Sequence, residues 1–583
     1  MHLRRVVCAI VLGLAASAAS AQEFHLEVIA INDLHGNLQS PGTYRVNAQS
    51  PPVPVGGVDY LAGYVEHLKS LNPDNVVVSA GDLTGASPLV SALFHHEDTI
   101  EAANRMGLEI NGVGNHEFDQ GRQELLRLQN GGCSKVDENT CKGAAAGTPV
   151  PFEGAKFQYL GANVFDTKTG KTIFPAYAIK SYHGVKVAFI GVTLKETPAN
   201  ALPSSVAGLR FGDEADSINA IVRQLRPQGV NIFVALIHQG GFQTAKRPGE
   251  ITDINGCEGG LNGYPIQSIV SRLDDAVDVA ISAHTHSAYV CELPNRSGRK
   301  VPVTSAAAYG RVVTAVDMTI DEKTGEAKAV TARNILVDRT DKEIKPDAAV
   351  AGIVDSYARM AAPIVNRVVG SITADIKKAT NDSGESPLGD LISDAQLEAT
   401  AAAATGGAVV AFMNEAGVRT SLPFHPETPG LADGKVTFGE VFNTQPFGNN
   451  LVTLTLTGAQ IKALLEEQFK GCALEASPGD DAPIGNRQLE VSQGFSYSYS
   501  RSGPVCGKVD PASIKLNGAT VSPTAKYRVT VNIFLADGGG EFYVLKKGTD
   551  RLVGPPDIDA MIAYFAKHSL VAPVDAHRIS IIP

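Results

Sequence analysis

The 583-residue sequence contains no tryptophan, and only 6% of its residues are aromatic. An aromatic platform for a planar ligand must therefore be built from Phe or Tyr. Positive charge is scarce: 50 Lys and Arg stand against 61 Asp and Glu, a net charge of −11. That balance argues against a general nucleic-acid-binding surface, which needs a basic stripe. A small anionic substrate would need metals or a few placed cations. No Cys-x-x-Cys pair occurs, which disfavours a cysteine metal site. No internal repeat, coiled coil or low-complexity tract occurs either. The apolar run Val6–Ala16 is short of the ~20 residues that span a bilayer, and no later segment is long and apolar enough.

What the N-terminus does carry is a targeting pattern. His2, Arg4 and Arg5 precede that short apolar run, and Ala19-Ser20-Ala21 offers a small-residue cleavage site. Residues 1–21 are expected to be a signal peptide cut after Ala21, which implies a periplasmic or secreted protein. Cys8 leaves with it. The remaining Cys133, Cys141, Cys257, Cys291, Cys472 and Cys506 form an even set, which favours disulfides after export. Proximity suggests the pairs Cys133–Cys141, Cys257–Cys291 and Cys472–Cys506.

The length requires two or more domains, and 44% hydrophobic with 19% charged residues is an ordinary globular composition. From about residue 24 to 340, apolar β-branched runs alternate with helical or loop segments, Ser87–Met106 and Ser217–Leu225 reading as helices. The expected fold class is α/β: a layered β-sandwich over 22–345, flanked by helices. Surface insertions are expected at Ser40–Gly57 and Gly131–Gly154. Val350, Ile353, Val354, Tyr357, Met360 and Ile364 share one helical face, so 346–368 reads as a connecting helix. A second, α+β domain is expected over 369–583, with a helix at Leu388–Ala403 and strands at Ala408–Asn414, Leu451–Leu456 and Tyr527–Asn532.

The chemistry lies at strand ends. Asp33-Leu34-His35 follows Leu26–Asn32, and Gly81-Asp82 follows Asn75–Ala80. Gly114-Asn115-His116-Glu117 follows Ile110–Val113. His238 follows Val230–Ile237, and His284-Thr285-His286 follows Asp278–Ala283. Strand ends on one sheet edge converge, and ligand sites in open α/β sheets lie there. Carboxylate, imidazole and amide groups gathered in this way suit two divalent cations and phosphate-ester hydrolysis. Asp82 is the natural bridge, with two oxygens and a charge to hold both ions. Mixed nitrogen and oxygen donors suit Zn, Mn, Fe or Co better than Mg or Ca. His116, beside Asn115, can stabilise phosphoryl charge or protonate a leaving alkoxide. Asp119 can fix its tautomer, and Glu117 can support the ligands from behind. Taken singly, each residue is more often a turn or cap; the ordered set is not.

The blocks INDLHGNL, SAGDLTGAS, GVGNHEFDQG and SAHTHS resemble the 5′-nucleotidase family of calcineurin-like metallophosphoesterases. The resemblance covers nearly all of the chain beyond the leader. It implies one metal on Asp33, His35, Asp82 and His286, and a second on Asp82, Asn115, His238 and His284. His286 stands where the family often has Asn or Gln. The implied catalytic pair is His116 and Asp119, and the implied reaction is in-line attack of a metal-activated water on a nucleoside 5′-monophosphate. The alternatives on the same site are 2′,3′-cyclic nucleotides and 3′-nucleotides, or pyrophosphate bonds in dinucleotides and nucleotide sugars.

The resemblance also implies substrate residues in the second domain. NEAGVR gives Asn414, Gly417 and Arg419, with Arg419 on phosphate. QPFGNNL and NIFLADGGGEF give Phe447 and Phe534, two rings that sandwich a base. Two positions depart from the pattern. Asp382 stands where the family usually has Arg, so Lys377 or Lys378 must replace that contact if it is kept. Gly538-Gly539-Gly540-Glu541 replaces Gly-Gly-Asp-Gly, leaving Glu541 as the shifted substitute for a ribose-binding Asp.

Overall fold

The computed structural model describes residues 23–135, 137–244, 252–426, 428, 430–469, 471–472 and 487–582. The expected signal peptide, residues 1–21, lies outside the described residues. Twelve strands of the first half form two six-stranded sheets. They are β1 (Glu23–Ile31), β2 (Asn75–Ser79), β3 (Ile110–Gly112), β4 (Gln158–Leu160), β5 (Tyr177–Tyr182), β6 (Val185–Thr193), β7 (Ile232–His238), β8 (Val277–Ser282), β9 (Ala288–Pro294), β10 (Lys300–Ala306), β11 (Val312–Asp321) and β12 (Glu326–Leu336). The first sheet has the order β12-β11-β1-β2-β3-β4 and the second β9-β10-β8-β7-β6-β5.

Period-two side-chain alternation sorts these strands into layers. Val28, Ala30, Val76 and Val78 of the first sheet meet Phe189, Val234, Leu236 and Ile281 of the second in one buried core. Their neighbours point outward. Ile29 and Val77 pack with Leu61 and Val65 of α1 (Val58–Leu71). Ala188, Phe233 and Ala235 pack with Ile218 and Val222 of a helix at Glu214–Leu225. Strands covered on both faces read as unbroken apolar runs, which is why Val76–Val78 and Ile232–Ile237 are wholly buried. β1 to β4 are mutually parallel, as are β6, β7, β8 and β10. Within each sheet, the carboxyl ends of these strands therefore share an edge.

The helix expected over Ser87–Met106 is broken in two, Leu89–Leu93 and Glu97–Met106. His95 and His96 at the break have φ of 52° and 62°, a left-handed conformation that ends a right-handed helix. The break turns His96 inward, where its Nε2 accepts the Gly85 N–H at 3.4 Å. Sequence periodicity carries no signal for such a kink.

The connecting helix α2 (Ala348–Val365) starts at Asp347, whose side chain accepts the Val350 N–H at 2.8 Å. Val350, Ile353, Val354 and Tyr357 are buried as expected, but Ile364 is 42% exposed. The last turn has left the neighbours that cover its earlier turns, and Val365 there meets Gly439 of the second half. By length and composition α2 is apolar enough to cross a membrane, contrary to the expectation that no later segment is. Its buried face packs on Phe94 and into the core beneath α1.

The second half centres on a five-stranded sheet of β13 (Val410–Asn414), β14 (Asn450–Thr457), β15 (Leu489–Val491), β16 (Lys526–Asn532) and β17 (Thr549–Pro556), in the order β15-β13-β16-β14-β17. Helix α3 (Pro387–Thr400) packs Leu388, Leu391 and Ile392 with Met413. Ser386 caps it, accepting the Gly389 N–H at 3.0 Å. Disulfides join Cys133 to Cys141, Cys257 to Cys291 and Cys472 to Cys506.

Candidate metal centre

Each strand-end motif lands on the same edge. Asp33 and His35 follow β1, Asp82 follows β2 and Asn115 follows β3. His238 is the last residue of β7, and His284 and His286 follow β8. Two clusters result, Asp33 with His35 and His286, and Asp82 with His238 and His284; within each, the ligand atoms lie within 4.8 Å of one another. The clusters adjoin. Asp82 Oδ2 is 3.0 Å from His238 Nε2 and 3.6 Å from His35 Nε2, and His35 Nε2 is 3.0 Å from His286 Nε2.

The unpartnered atoms test whether cations fit. Asp82 Oδ2, Asn115 Oδ1 and His238 Nε2 are buried without a hydrogen bond. Leaving such groups unmade costs about 1–3 kcal/mol each, so a native fold keeps them for a ligand. The imidazoles are oriented to match. His35 Nδ1 donates to the Gly85 carbonyl and His238 Nδ1 to the Ala80 carbonyl, both at 2.9 Å. A carbonyl only accepts, so Nδ1 carries the hydrogen and the Nε2 lone pair faces the cluster. Burial holds His35 and His286 well below the usual imidazole range and His284 at about 3, the neutral form that ligates. Burial works against the Asp82 carboxylate, but His238 and His116 outweigh it and hold its pKa well below normal. Burial likewise opposes charge on His238, but Asp82 and Asp33 overcome it and raise that imidazole to about 9, so the carboxylates draw positive charge to this point. The donor set fits a pair of divalent cations.

Support comes from Asn32, which the motifs alone do not rank, and from Glu117. Asn32 Nδ2 donates to Asp33 Oδ2 at 2.7 Å and to the Ala307 carbonyl at 2.8 Å, while its Oδ1 accepts the Ala306 N–H at 2.8 Å. Glu117 is buried and buckles two ligand loops together. Its carboxylate accepts the N–H groups of Asp82 (2.9 Å), Leu83 (2.7 Å) and Gly114 (2.6 Å). Asp33, His35, Asp82, His284 and His286 all have φ between 49° and 73°. Strain of this kind costs roughly 1–3 kcal/mol per residue and persists where the surroundings over-determine it, commonly at functional sites.

Beside the clusters, His116 Nδ1 is 2.9 Å from Asp119 Oδ2, which also accepts the Ala86 N–H at 3.0 Å. Burial favours neutral His116, but Asp119 and Asp82 overcome it and raise the imidazole pKa. Phe447, from the second half, lies over this ring with centroids 6.0 Å apart and planes 27° from parallel. The Arg419 guanidinium carbon is 5.9 Å from the Phe447 ring.

A cavity of about 480 Å³ runs between the halves, lined by Asp82, His116, His284 and His286 on one side and by Asn414, Gly417, Arg419, Phe447 and Phe534 on the other. Asn414 Oδ1 accepts the Asn532 amide at 3.0 Å. Phe534 packs on Gly539, where a Cβ would sit 2.4 Å from the ring. At the two departures, Asp382 is exposed, whereas Lys378 lies within electrostatic reach of Arg419, Glu415 and Arg311. Glu541 lines the cavity and pairs with Arg487, a cavity residue with no motif to announce it.

A layered sandwich with mixed His, Asp and Asn donors at its strand edge is the architecture of the metallophosphoesterases. Residues 368–547 match the model of the 5′-nucleotidase C-terminal domain. The chain is 29% identical over 550 residues to Endonuclease YhcR of Bacillus subtilis, covering 94% of this chain and 40% of that protein. It is 29% identical over 574 residues to Cell wall protein Lmo0130 of Listeria monocytogenes, covering 94% and 67%. Among solved structures, a 5′-nucleotidase precursor from Thermus thermophilus superposes with a TM-score of 0.73 at 25% identity, covering 96% of this chain and 99% of that one. The second half of the chain thus carries the 5′-nucleotidase C-terminal domain, and the chain as a whole is similar in fold to a 5′-nucleotidase.

Proposed function

We propose that the protein is a dinuclear-metal phosphohydrolase that releases phosphate from nucleoside 5′-monophosphates. The observation that carries this reading is the set of orphaned donors, Asp82 Oδ2, Asn115 Oδ1 and His238 Nε2, in one cavity with the His116–Asp119 pair and the rings of the second half. Asp33, His35, Asp82 and His286 would hold one cation, and Asp82, Asn115, His238 and His284 the other. Bound divalent cations supply positive charge for phosphoryl oxygens and lower the pKa of an attacking water.

The remaining work belongs to side chains. His116, its pKa raised by Asp119, stabilises the phosphoryl charge and gives a proton to the leaving alkoxide. Asp119 holds the ring through Nδ1, which leaves Nε2 for the substrate. Arg419 pairs with phosphate oxygens, and Lys378 takes the place of the missing Arg at Asp382. Phe447 and Phe534 stack the base, and Asn414 and Gly417 shape the pocket beside them. Export to the periplasm or beyond is proposed from the leader-like first 21 residues and the three disulfides.

The Arg487–Glu541 pair favours a second reading on the same site. Neutralising the shifted acid alters the ribose end of the pocket, which suits a 2′,3′-cyclic nucleotide or a pyrophosphate-linked substrate. The test is product formation by the mature protein with Mn or Zn, on AMP, 3′-AMP, 2′,3′-cyclic AMP, UDP-glucose and NAD. The last three need product chromatography, because their cleavage does not directly free phosphate. Preference for AMP supports the first reading, and preference for any other substrate moves the protein to the second. No turnover of any substrate with metals bound would sink both.

A further inference from the structure

Strand β7 ends at His238 and continues into Gln239-Gly240-Gly241-Phe242. This turn is fastened to the loop that carries His284 and His286. Thr285, between them, donates through Oγ1 to the Gly241 carbonyl at 2.9 Å. A Cβ on Gly240 would sit 2.3 Å from the Ala283 carbonyl oxygen, and one on Gly241 would sit 2.9 Å from Tyr264 Cβ. Gly240 thus lets the backbone lie against the loop of His284 and His286, Gly241 lets it lie against Tyr264 and Leu261, and the next side chain, Phe242, emerges at the cavity wall.

Phe242 is 43% exposed, although most phenylalanines of the described residues are buried. Tyr264 supports its ring in an edge-to-face contact, with centroids 5.4 Å apart. Both rings line the same cavity as His284, His286, Phe447 and Phe534. Leaving an apolar ring half in water forgoes part of the stabilisation that burying it gives. Here the ring is held in that position by backbone bonded to the ligand loop. The two aromatic platforms come from different halves and approach through different residues. Phe447 lies over His116, and Phe242 is tied through Thr285 to the turn between His284 and His286.

We infer that Phe242 and Tyr264 form a second aromatic subsite, which holds a planar ring on the far side of the reacting phosphorus. The ligand class is a dinucleotide, two base-bearing units joined by a pyrophosphate bridge. The inference rests on the nucleotide reading of the cleft. Hydrolysis of such a ligand adds one water across the bridge. Its oxygen bonds to one phosphorus, the bridging P–O bond breaks, and two monophosphates leave with the two protons of the water between them.

The test uses the metal-loaded protein and an uncleavable dinucleotide, diadenosine diphosphate with a methylene in place of the bridging oxygen. Its Ki against AMP hydrolysis is measured for the wild type, Phe242→Ala, Phe242→Tyr and Tyr264→Leu. Base stacking by one ring corresponds to roughly 10-fold or more in affinity. Phe242→Ala should raise Ki by that factor, well beyond any change in KM for AMP, and Phe242→Tyr should restore it. An unchanged Ki in both Phe242→Ala and Tyr264→Leu, with AMP still turned over, overturns the subsite. Equal shifts in Ki and in KM for AMP overturn it too, by placing Phe242 in the mononucleotide pocket. A metal-loaded wild type that hydrolyses neither AMP nor NAD overturns the nucleotide reading and this inference with it.

Discussion

Asp82 touches His116 through the backbone: its Oδ1 accepts the His116 N–H at 2.9 Å, while its Oδ2 faces the candidate ligands with no hydrogen bond. One carboxylate therefore holds the proposed proton donor in place with one oxygen and offers the other to the cations. Asp82→Asn should lose both metals and nearly all turnover. Metal analysis of the purified variant checks this, and two equivalents of bound metal with retained turnover would rule out a bridging role.

His116→Ala should leave metal content unchanged and lower kcat by about 10²–10⁴-fold, the usual reach of one acid or base. Asp119→Asn should fall between that variant and the wild type, because it removes the Nδ1 partner and keeps the ring. Single-turnover kinetics and metal analysis on the same samples separate catalysis from ligation. A metal-free His116→Ala protein would show that the imidazole is a ligand.

Asn32 acts through Asp33. It fixes one carboxylate oxygen and ties β1 to the Ala306–Ala307 backbone. Partners of this kind typically contribute 10–100-fold to metal affinity, so Asn32→Ala should weaken binding by about that range. Competition with a chelator of known affinity provides the measurement. An unaltered affinity would reduce Asn32 to a strand-end tether.

Phe447→Ala should raise KM for nucleotides by roughly 10-fold, the loss expected from one stacked base. A small aryl phosphate carries no base, so its KM should hold. Equal effects on both substrates would assign Phe447 to covering His116, the contact made by its ring here.

Asp390 is fully buried and neither of its oxygens accepts a hydrogen bond. Burial drives its pKa far above the carboxyl range; Arg578 pulls the other way, and Glu385 and Glu490 add to the rise. The native state therefore keeps a proton that the unfolded chain releases near pH 4, its unperturbed value of about 3.9. Stability linked to this group is full below that pH and is lost as pH rises toward the native pKa. Asp390→Asn carries the hydrogen permanently, so its Tm should fall less between about pH 5 and 9 than that of the wild type. Parallel Tm curves for the two proteins would show that Asp390 ionises without cost in the fold.

The sandwich was legible because its strands are short apolar runs with strong turn signals, and Val76–Val78 and Ile232–Ile237 have no other stable place than between two layers. Seven prospective ligands were legible because each closes such a run. The break at His95–His96 and the exposure of Ile364 were not legible, since both depend on which neighbours meet the helix. Asn32 and Phe242 were equally silent. An Asn beside an Asp and a Phe after two glycines acquire meaning only through backbone groups distant in sequence.

By itself, the sequence determined the layer pattern, the order of the ligand motifs and the residue types available for chemistry, because these follow from side-chain periodicity and turn preference. Tertiary structure alone decided which atoms of those residues face one another. The left-handed backbone at five candidate ligands, the carbonyls that set the His35 and His238 tautomers and the meeting of Phe447 with His116 are all closures between distant segments. The free energy for such closures comes from packing of the whole fold rather than from any local preference.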